Sequence, residues 1–285
     1  MAKSGNQPWR IDWSGVPVLS GLTMVIGLDV SHDKKMPNAV GDVKQDGRVS
    51  TVGFCASYNQ DFSTYNSFVS FQPLGQEYVA ASKDLMIASL KAYHGYNKAY
   101  PANILVFRDG VGNSQIETFV RKEIALYEAA FKDLGLEGKV KLTVLTVQKR
   151  LSTRLYAQCE KYKGSPCSID ARCDGSQPFH SPAPGTVVDK DIVHPGMRDF
   201  FLVSSLAPKT ATAKPTRYIV VRDDLKCSDD LLHSLTNQLC WMYYGWLGPI
   251  RVPAPCMYGH KLAYLFGKHV CGLPHESLRN LLFYL

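Results

Sequence analysis

The stretch NILVFRDGVGNSQ, Asn103 to Gln115, constrains the fold more tightly than any other part of the chain. Four apolar residues run into the charged pair Arg108-Asp109 and then break at Gly110-Val111-Gly112. An apolar run of this kind reads as a strand buried on both faces, which needs a sheet covered by helices. Just downstream, Ile116, Phe119, Val120, Ile124, Tyr127, Phe131 and Leu134 recur at helical spacing, with Ser114-Gln115-Ile116-Glu117 as the expected capping box. A carboxylate at a strand end, beside the start of a helix, is where α/β proteins place ligand chemistry.

The neighbouring segments fit that frame. Leu22–Val30 is a second near-continuous apolar run, and Val49–Ser57 and Phe62–Gln72 follow as strands. Gln76–Tyr93 is predicted helical, Ile104–Phe107 and Val140–Val147 are strands, and a Gly/Ser/Pro/Cys-rich loop covers about Lys161 to Pro184. Short strands are expected at Gly185–Val188, Phe200–Ser204 and Tyr218–Val221, and helices near Asp229–Tyr244, Tyr258–Gly267 and His275–Phe283. Strands first and then alternating elements predict an α/β fold, a mixed central β-sheet with helices on both faces. Residues 1–20 read as a polar lead-in whose Trp9 and Trp13 can pack on the domain at 21–285.

With 285 residues, 45% of them hydrophobic and 20% charged, the chain can bury a large core and is not a disordered protein. The net charge of +7 is compatible with a polyanionic partner without requiring one. Eight scattered cysteines with no CxxC, and no apolar leader or membrane-length run, predict an intracellular protein with reduced thiols, cytoplasmic or nuclear, without a membrane partner. Cys159, Cys167, Cys173 and His180 have ligand chemistry, but their spacing fits no standard zinc pattern.

Asp29, in GLDVSHD, sits near the end of the first strand, and Asp109 ends the fourth. If those strands are neighbours, two carboxylates meet at one sheet edge, a donor set suited to Mg²⁺. On spacing alone, strand-end caps or surface ion pairs fit both aspartates as well. Between Lys139 and Lys163 stand seven Lys/Arg and a single acidic residue, Glu160, so cations emerge close to the same edge.

The ordered blocks IGLDVSHD, FRDGVGNSQ, LTVQKR, PGTVVD, DFFLVSS, LTNQLC and RVPAPCMYGHKLA together resemble the PIWI domain of the Argonaute/Piwi family, nearer its Piwi branch. The resemblance covers the chain from about residue 20 to Leu285. It implies a ribonuclease H-like fold and a catalytic tetrad of Asp29, Glu77, Asp109 and His260. Asp29, Asp109 and His260 match the ligands of two Mg²⁺ ions, with Mn²⁺ as a substitute. Glu77, in QPLGQEYV, is the one glutamate between the two aspartates and matches the member that a loop inserts on activation. Without metal or guide, its carboxylate is expected away from both aspartates.

The resemblance also implies the partners, a small guide RNA and a complementary target RNA, and upstream MID and PAZ domains in the full-length protein. Gln148, Lys149, Arg150 and Arg154 match residues that contact guide phosphates. Arg217 stands where relatives often have a histidine. The Leu285 carboxylate matches a C-terminus that helps a cation bridge to the guide 5′-phosphate, and Leu265 stands where some relatives carry an arginine. The implied activity is RNA-guided cleavage of target RNA, leaving a 5′-phosphate and a 3′-hydroxyl. The alternative is a guide-binding silencing module that acts through recruited partners with little or no cleavage.

Overall fold

The computed structural model describes residues 2–13, 21–32, 49–158, 178–206, 212–270 and 272–285. In chain order the strands are β1 (Thr23–Ser31), β2 (Val49–Ser57), β3 (Tyr65–Pro73), β4 (Asn103–Asp109), β5 (Lys141–Gln148), β6 (Ala157–Gln158), β7 (Phe179–His180), β8 (Thr186–Val188), β9 (Asp199–Val203) and β10 (Thr216–Asp223). The helices are α1 (Ser82–Asn97), α2 (Asn113–Gln115), α3 (Arg121–Asp133), α4 (Asp229–Leu239) and α5 (Ala254–Leu265). A π-helical segment, Ile116–Val120, joins α2 to α3.

Eight strands form one mixed sheet in the order β3-β2-β1-β4-β5-β10-β9-β8, and β6 and β7 pair separately. The centre, β1-β4-β5, is parallel, and the flanking pairs are antiparallel. Side chains alternate across the sheet. Met24, Ile26, Leu28, Ile104 and Val106 pack under α1 and α3, with Met86, Leu90, Ile124 and Tyr127. Val25, Leu105, Phe107, Leu145 and Val147 face α4 and α5, with Leu235, Leu239 and Cys256. Trp9 packs edge-on against Tyr244 and Trp13 against Phe62, so the lead-in is fastened to the body at both tryptophans.

Several element boundaries differ from the sequence expectation, each for a local reason. α1 begins at Ser82, not Gln76, because a buried ion pair described below ties the backbone of Glu77 and Val79 outside the helix. The helical run after β4 begins at Asn113 rather than through a Ser114-Glu117 box: Gln115 Oε1 accepts from the Gly112 amide at 2.9 Å. α4 ends at Leu239, where turns lead to an Ile250 N–H bond on the Cys240 carbonyl. α5 starts four residues earlier than expected, since prolines are tolerated at the first turn and Pro253 caps it.

The expected helix at His275–Phe283 is only a short 3₁₀ turn, Glu276–Leu278. Beyond it Leu282 and Tyr284 are buried and their neighbours half-exposed, in a turn rather than a helix. The Tyr284 hydroxyl lies 2.8 Å from Ser67 Oγ on β3, and the Leu285 amide closes a turn on the Leu282 carbonyl at 3.2 Å. Cys159, Cys167 and Cys173 of the weighed zinc set lie outside the described residues, and His180 Nδ1 faces the Ser181 carbonyl at 2.8 Å.

Candidate nuclease site

The parallel pairing of β1 and β4 sets Leu28 opposite Arg108, so Asp29 and Asp109 follow side by side at the carboxyl edge. Both have the parity of residues that face α5, so both carboxylates leave the sheet on the same side. Asp29 is 6% exposed and Asp109 is fully buried. Asp29 Oδ1 accepts from the Val30 amide at 2.9 Å, and Oδ2 lies 2.7 Å from His260 Nδ1. Lys149, two residues past the Val147 partner of Asp109, donates its ammonium to Asp109 Oδ2 at 2.6 Å. Asp109 Oδ1 has no hydrogen-bond partner. Gly110 turns the chain away with φ +87, and a Cβ there would lie 3.3 Å from Asp29 Oδ1.

The two carboxyls titrate in opposite directions. Burial pushes Asp109 up, the adjacent Asp29 charge adds to it, and Lys149 offsets only part, leaving its pKa at about 6. Burial pushes Asp29 up as well, but the His260 hydrogen bond and the Lys149 and Arg108 charges outweigh it and hold Asp29 below the ordinary carboxylate range. Asp29 therefore stays ionised to lower pH than Asp109, which takes up its proton near pH 6.

α5 can reach Asp29 because glycine removes the obstruction. A Cβ on Gly27 would lie 2.0 Å from the Pro255 carbonyl carbon, and one on Gly53 would lie 2.0 Å from the Gly259 carbonyl oxygen. Only bare backbone at both points lets the helix lie this close to β1 and β2. His260 then projects from the helix directly onto Asp29.

The segment carrying Glu77 is held by a buried ion pair that sequence reasoning missed. Arg108, 1% exposed, faces the opposite side of β4 from Asp109 and pairs with Glu123 of α3, Nε to Oε2 at 3.0 Å. Its two remaining nitrogens donate to the Asp109 carbonyl and the Glu77 carbonyl, each at 2.6 Å. Glu123 Oε1 in turn accepts from the Val79 amide at 2.9 Å. The Glu77 carboxylate lies 2.7 Å from His32 Nε2, and His32 Nδ1 lies 2.7 Å from Ser50 Oγ. Its bonded partner is thus His32, three residues beyond Asp29, rather than either aspartate. A signal for this arrangement was present: Glu123 sits inside the apolar helical stripe between Val120 and Tyr127.

The residues expected to meet RNA divide into two groups. Gln148 Nε2 donates to the Val111 carbonyl at 3.0 Å and to Asn113 Oδ1 at 2.8 Å, bracing the turn after Asp109. Arg217 is buried, pairs with Asp199 at 2.6 Å, reaches Asn113 Oδ1 at 3.3 Å and lies over the Phe201 ring. Lys149 is committed to Asp109. Arg150 and Arg154, by contrast, are exposed. Leu285 is half-buried, its amide on the Leu282 carbonyl at 3.2 Å.

Among the described residues no group of three or more His, Cys, Asp and Glu is gathered to hold a metal. The donors that would do so are turned toward each other and toward Lys149 instead. Their chemistry nonetheless fits a hard divalent cation: two adjacent carboxylates, one with an unpartnered buried oxygen, beside an imidazole. Among the described residues no helix is long and apolar enough to cross a membrane.

Comparison with known proteins places these features in context. The family model for the Piwi domain matches residues 1–271. Piwi-like protein 1 of Gallus gallus is 36% identical over 283 residues, which is 99% of this chain and 29% of that protein. The chain therefore spans under a third of that relative's length. The crystal structure of Drosophila Piwi superposes with a TM-score of 0.76 at 28% identity, covering 100% of this chain and 34% of that one. Kluyveromyces polysporus Argonaute, solved with a guide RNA, superposes with a TM-score of 0.79 at 21% identity, covering 100% and 35%. The mixed sheet with its flanking helices is the ribonuclease H-like fold of those structures.

Proposed function

This chain belongs to the Piwi domain family, and from that footing we propose that it is the small-RNA-guided endoribonuclease domain of an RNA-silencing protein. The observation that carries the reading is the meeting of Asp29 and Asp109 at one strand edge, with Asp109 Oδ1 left unpartnered. Asp29, Asp109 and His260 would hold Mg²⁺ or Mn²⁺, and Glu77 would complete the site. Two such ions supply an activated water and neutralise the leaving oxygen in phosphodiester hydrolysis, giving 5′-phosphate and 3′-hydroxyl ends. Asp29, already ionised, is the constant anion of the site. Asp109, ion-paired with Lys149, would have to exchange that ammonium for the metal. Arg108 and Glu123 hold the Glu77 segment by its backbone, leaving the carboxylate free to change partner from His32.

The guide RNA supplies target recognition by base pairing, and the protein contributes phosphate contacts that carry affinity and register. MID and PAZ domains belong to the remaining length of the full protein, which acts in the cytoplasm or nucleus. A second reading, a guide-binding silencing module with little cleavage, is favoured by one observation, the Lys149 ammonium already seated on Asp109. Guide RNA, matched target RNA and Mg²⁺ decide between them. A cut at a fixed distance from the guide 5′ end, lost in Asp29→Ala and Asp109→Ala while binding persists, supports the nuclease. Near-normal cleavage by either variant overturns the assignment, and binding without any cut by the native chain supports the silencing module.

A further inference from the structure

A cavity of about 300 Å³ opens between α4, β9 and the connection that leads from β8 into β9. Its lining includes neither Asp29 nor Asp109. Val193, Met197 and Leu232 give it apolar walls, while Asp189, Asp229 and His233 bring polar groups to it. The connection is pinned by the His194 amide on Asp199 Oδ1 at 3.2 Å and the Met197 amide on the His194 carbonyl at 3.1 Å.

His233 is 9% exposed and lies tilted over the Phe200 ring, with centroids 4.3 Å apart. Among the described residues neither of its ring nitrogens has a hydrogen-bond partner. Packing on Phe200 alone would be served as well by an apolar ring, which carries no desolvated polar atoms. Burial lowers the His233 pKa, and Asp189, Asp229 and Asp230 offset part of that. The neutral imidazole has one acceptor nitrogen to offer a donor in the cavity.

The charges near it are unequally matched. Arg198 commits all three of its nitrogens, to Asp229, Asp223 and the Cys227 carbonyl. Asp199 is paired with Arg217. Asp189 has no ion-pair or hydrogen-bond partner among the described residues. The cavity thus presents a spare carboxylate, an acceptor nitrogen and apolar walls, on a chain of net charge +7. A cation on an aliphatic stem matches that set, with methylenes on the walls and N–H donors toward both acceptors. A guanidinium matches it better than an ammonium, because its planar fork reaches two acceptors at once and it is less strongly hydrated.

We propose that this cavity receives an arginine side chain of a partner protein, its guanidinium seated between Asp189 and His233. An RNA phosphate does not suit a spare carboxylate, so the site is separate from guide and target binding and does not depend on it. Ile192 and Met197, 48% and 39% exposed at the same connection, add apolar surface that a protein partner can cover and a free cation cannot.

The test is NMR of the native chain with labelled histidine and methionine, titrated with an alanine pentapeptide carrying arginine, lysine or citrulline at its centre. Citrulline keeps the shape of arginine without its charge. The arginine peptide is expected to shift the His233 ring resonances saturably, with a Kd in the millimolar range suited to one side chain. His275, exposed and 2.8 Å from Ser277 Oγ, should not move. The citrulline peptide should bind about tenfold more weakly, having lost the charge-assisted bonds. No saturable shift of His233, or equal binding of the citrulline peptide, overturns the proposal. A lysine peptide that binds as tightly as the arginine one overturns the choice of a guanidinium. Tighter binding of butylguanidinium than of the arginine peptide assigns the cavity to a free small cation and overturns the protein partner.

Two variants add an independent reading through the Met197 methyl resonance. Asp189→Asn, a change at an exposed residue, should weaken the arginine peptide about threefold. His233→Phe keeps a ring on Phe200 but removes the acceptor, and should weaken it further. Unchanged affinity in a folded Asp189→Asn chain also overturns the site.

Discussion

Asp29 and Asp109 carry the same carboxyl group one strand apart, and their surroundings push them in opposite directions. Folded Asp109 keeps its proton to about pH 6, whereas an unfolded aspartate releases it near 3.8. Between those values the folded chain binds more protons, so this group makes stability fall as pH rises and level off above about pH 6. Asp109→Asn is expected to flatten that part of the curve, measured by chemical denaturation from pH 4 to 7 without divalent ions. Parallel profiles for variant and native chain would contradict the burial argument. Lys149 is the main group lowering the Asp109 pKa, so Lys149→Met should move the Asp109 titration to higher pH, visible in its carboxyl ¹³C shift. An unmoved titration would mean that the ion pair does not form in solution.

At the scale of elements, two contacts decide whether the site assembles. The crossing of α5 over β1 and β2 depends on Gly27 and Gly53, and Gly53→Ala forces a methyl against the Gly259 carbonyl. Overpacking of this sort costs about 1–3 kcal/mol and should also draw His260 off Asp29, seen as a changed His260 imidazole resonance. The second contact is the buried Arg108–Glu123 pair. Removing one member of such a pair costs about 3–5 kcal/mol because the other charge stays buried alone. Arg108→Met should therefore destabilise strongly, and the Arg108→Met/Glu123→Met double variant should recover part of the loss. The Val79 amide, bonded to Glu123 Oε1, should exchange faster in the double variant, reporting release of the Glu77 segment. Unchanged Val79 protection would show that the pair does not hold that loop.

For the whole molecule, the net charge of +7 is informative only once the cations are sorted by what they already touch. Arg150 and Arg154 stand exposed, and no carboxylate among the described residues pairs with them. Neutralising either should weaken binding alike for all RNA sequences and lower the salt slope by roughly one. Arg217→Gln should behave differently, lowering stability by about 3–5 kcal/mol through the stranded Asp199, with little change in slope. A full slope loss for Arg217→Gln, with native stability, would return it to the phosphate-contacting group.

The sequence alone determined the strands and the main helices, because periodicity records which faces avoid water, a local property. It also put Asp29 and Asp109 at strand ends, and the parity of Val25, Gly27 and Asp29 against Leu105, Phe107 and Asp109 was legible there too. The blocks around Asp29, Asp109 and His260 identified the family. Only the tertiary structure decided that β1 and β4 are parallel neighbours, since strand pairing joins segments far apart in the chain. It alone supplied the partners that separate two identical carboxyls: His260 for one, and Lys149 with burial for the other. It turned Gln148 and Arg217 inward, because which charge meets which is set by packing at long range. The ending at Leu282–Leu285 shows the limit of local pattern: its apolar run looked helical, but the Tyr284 hydroxyl meets Ser67 and Cys55 of the sheet and the last residues form a turn.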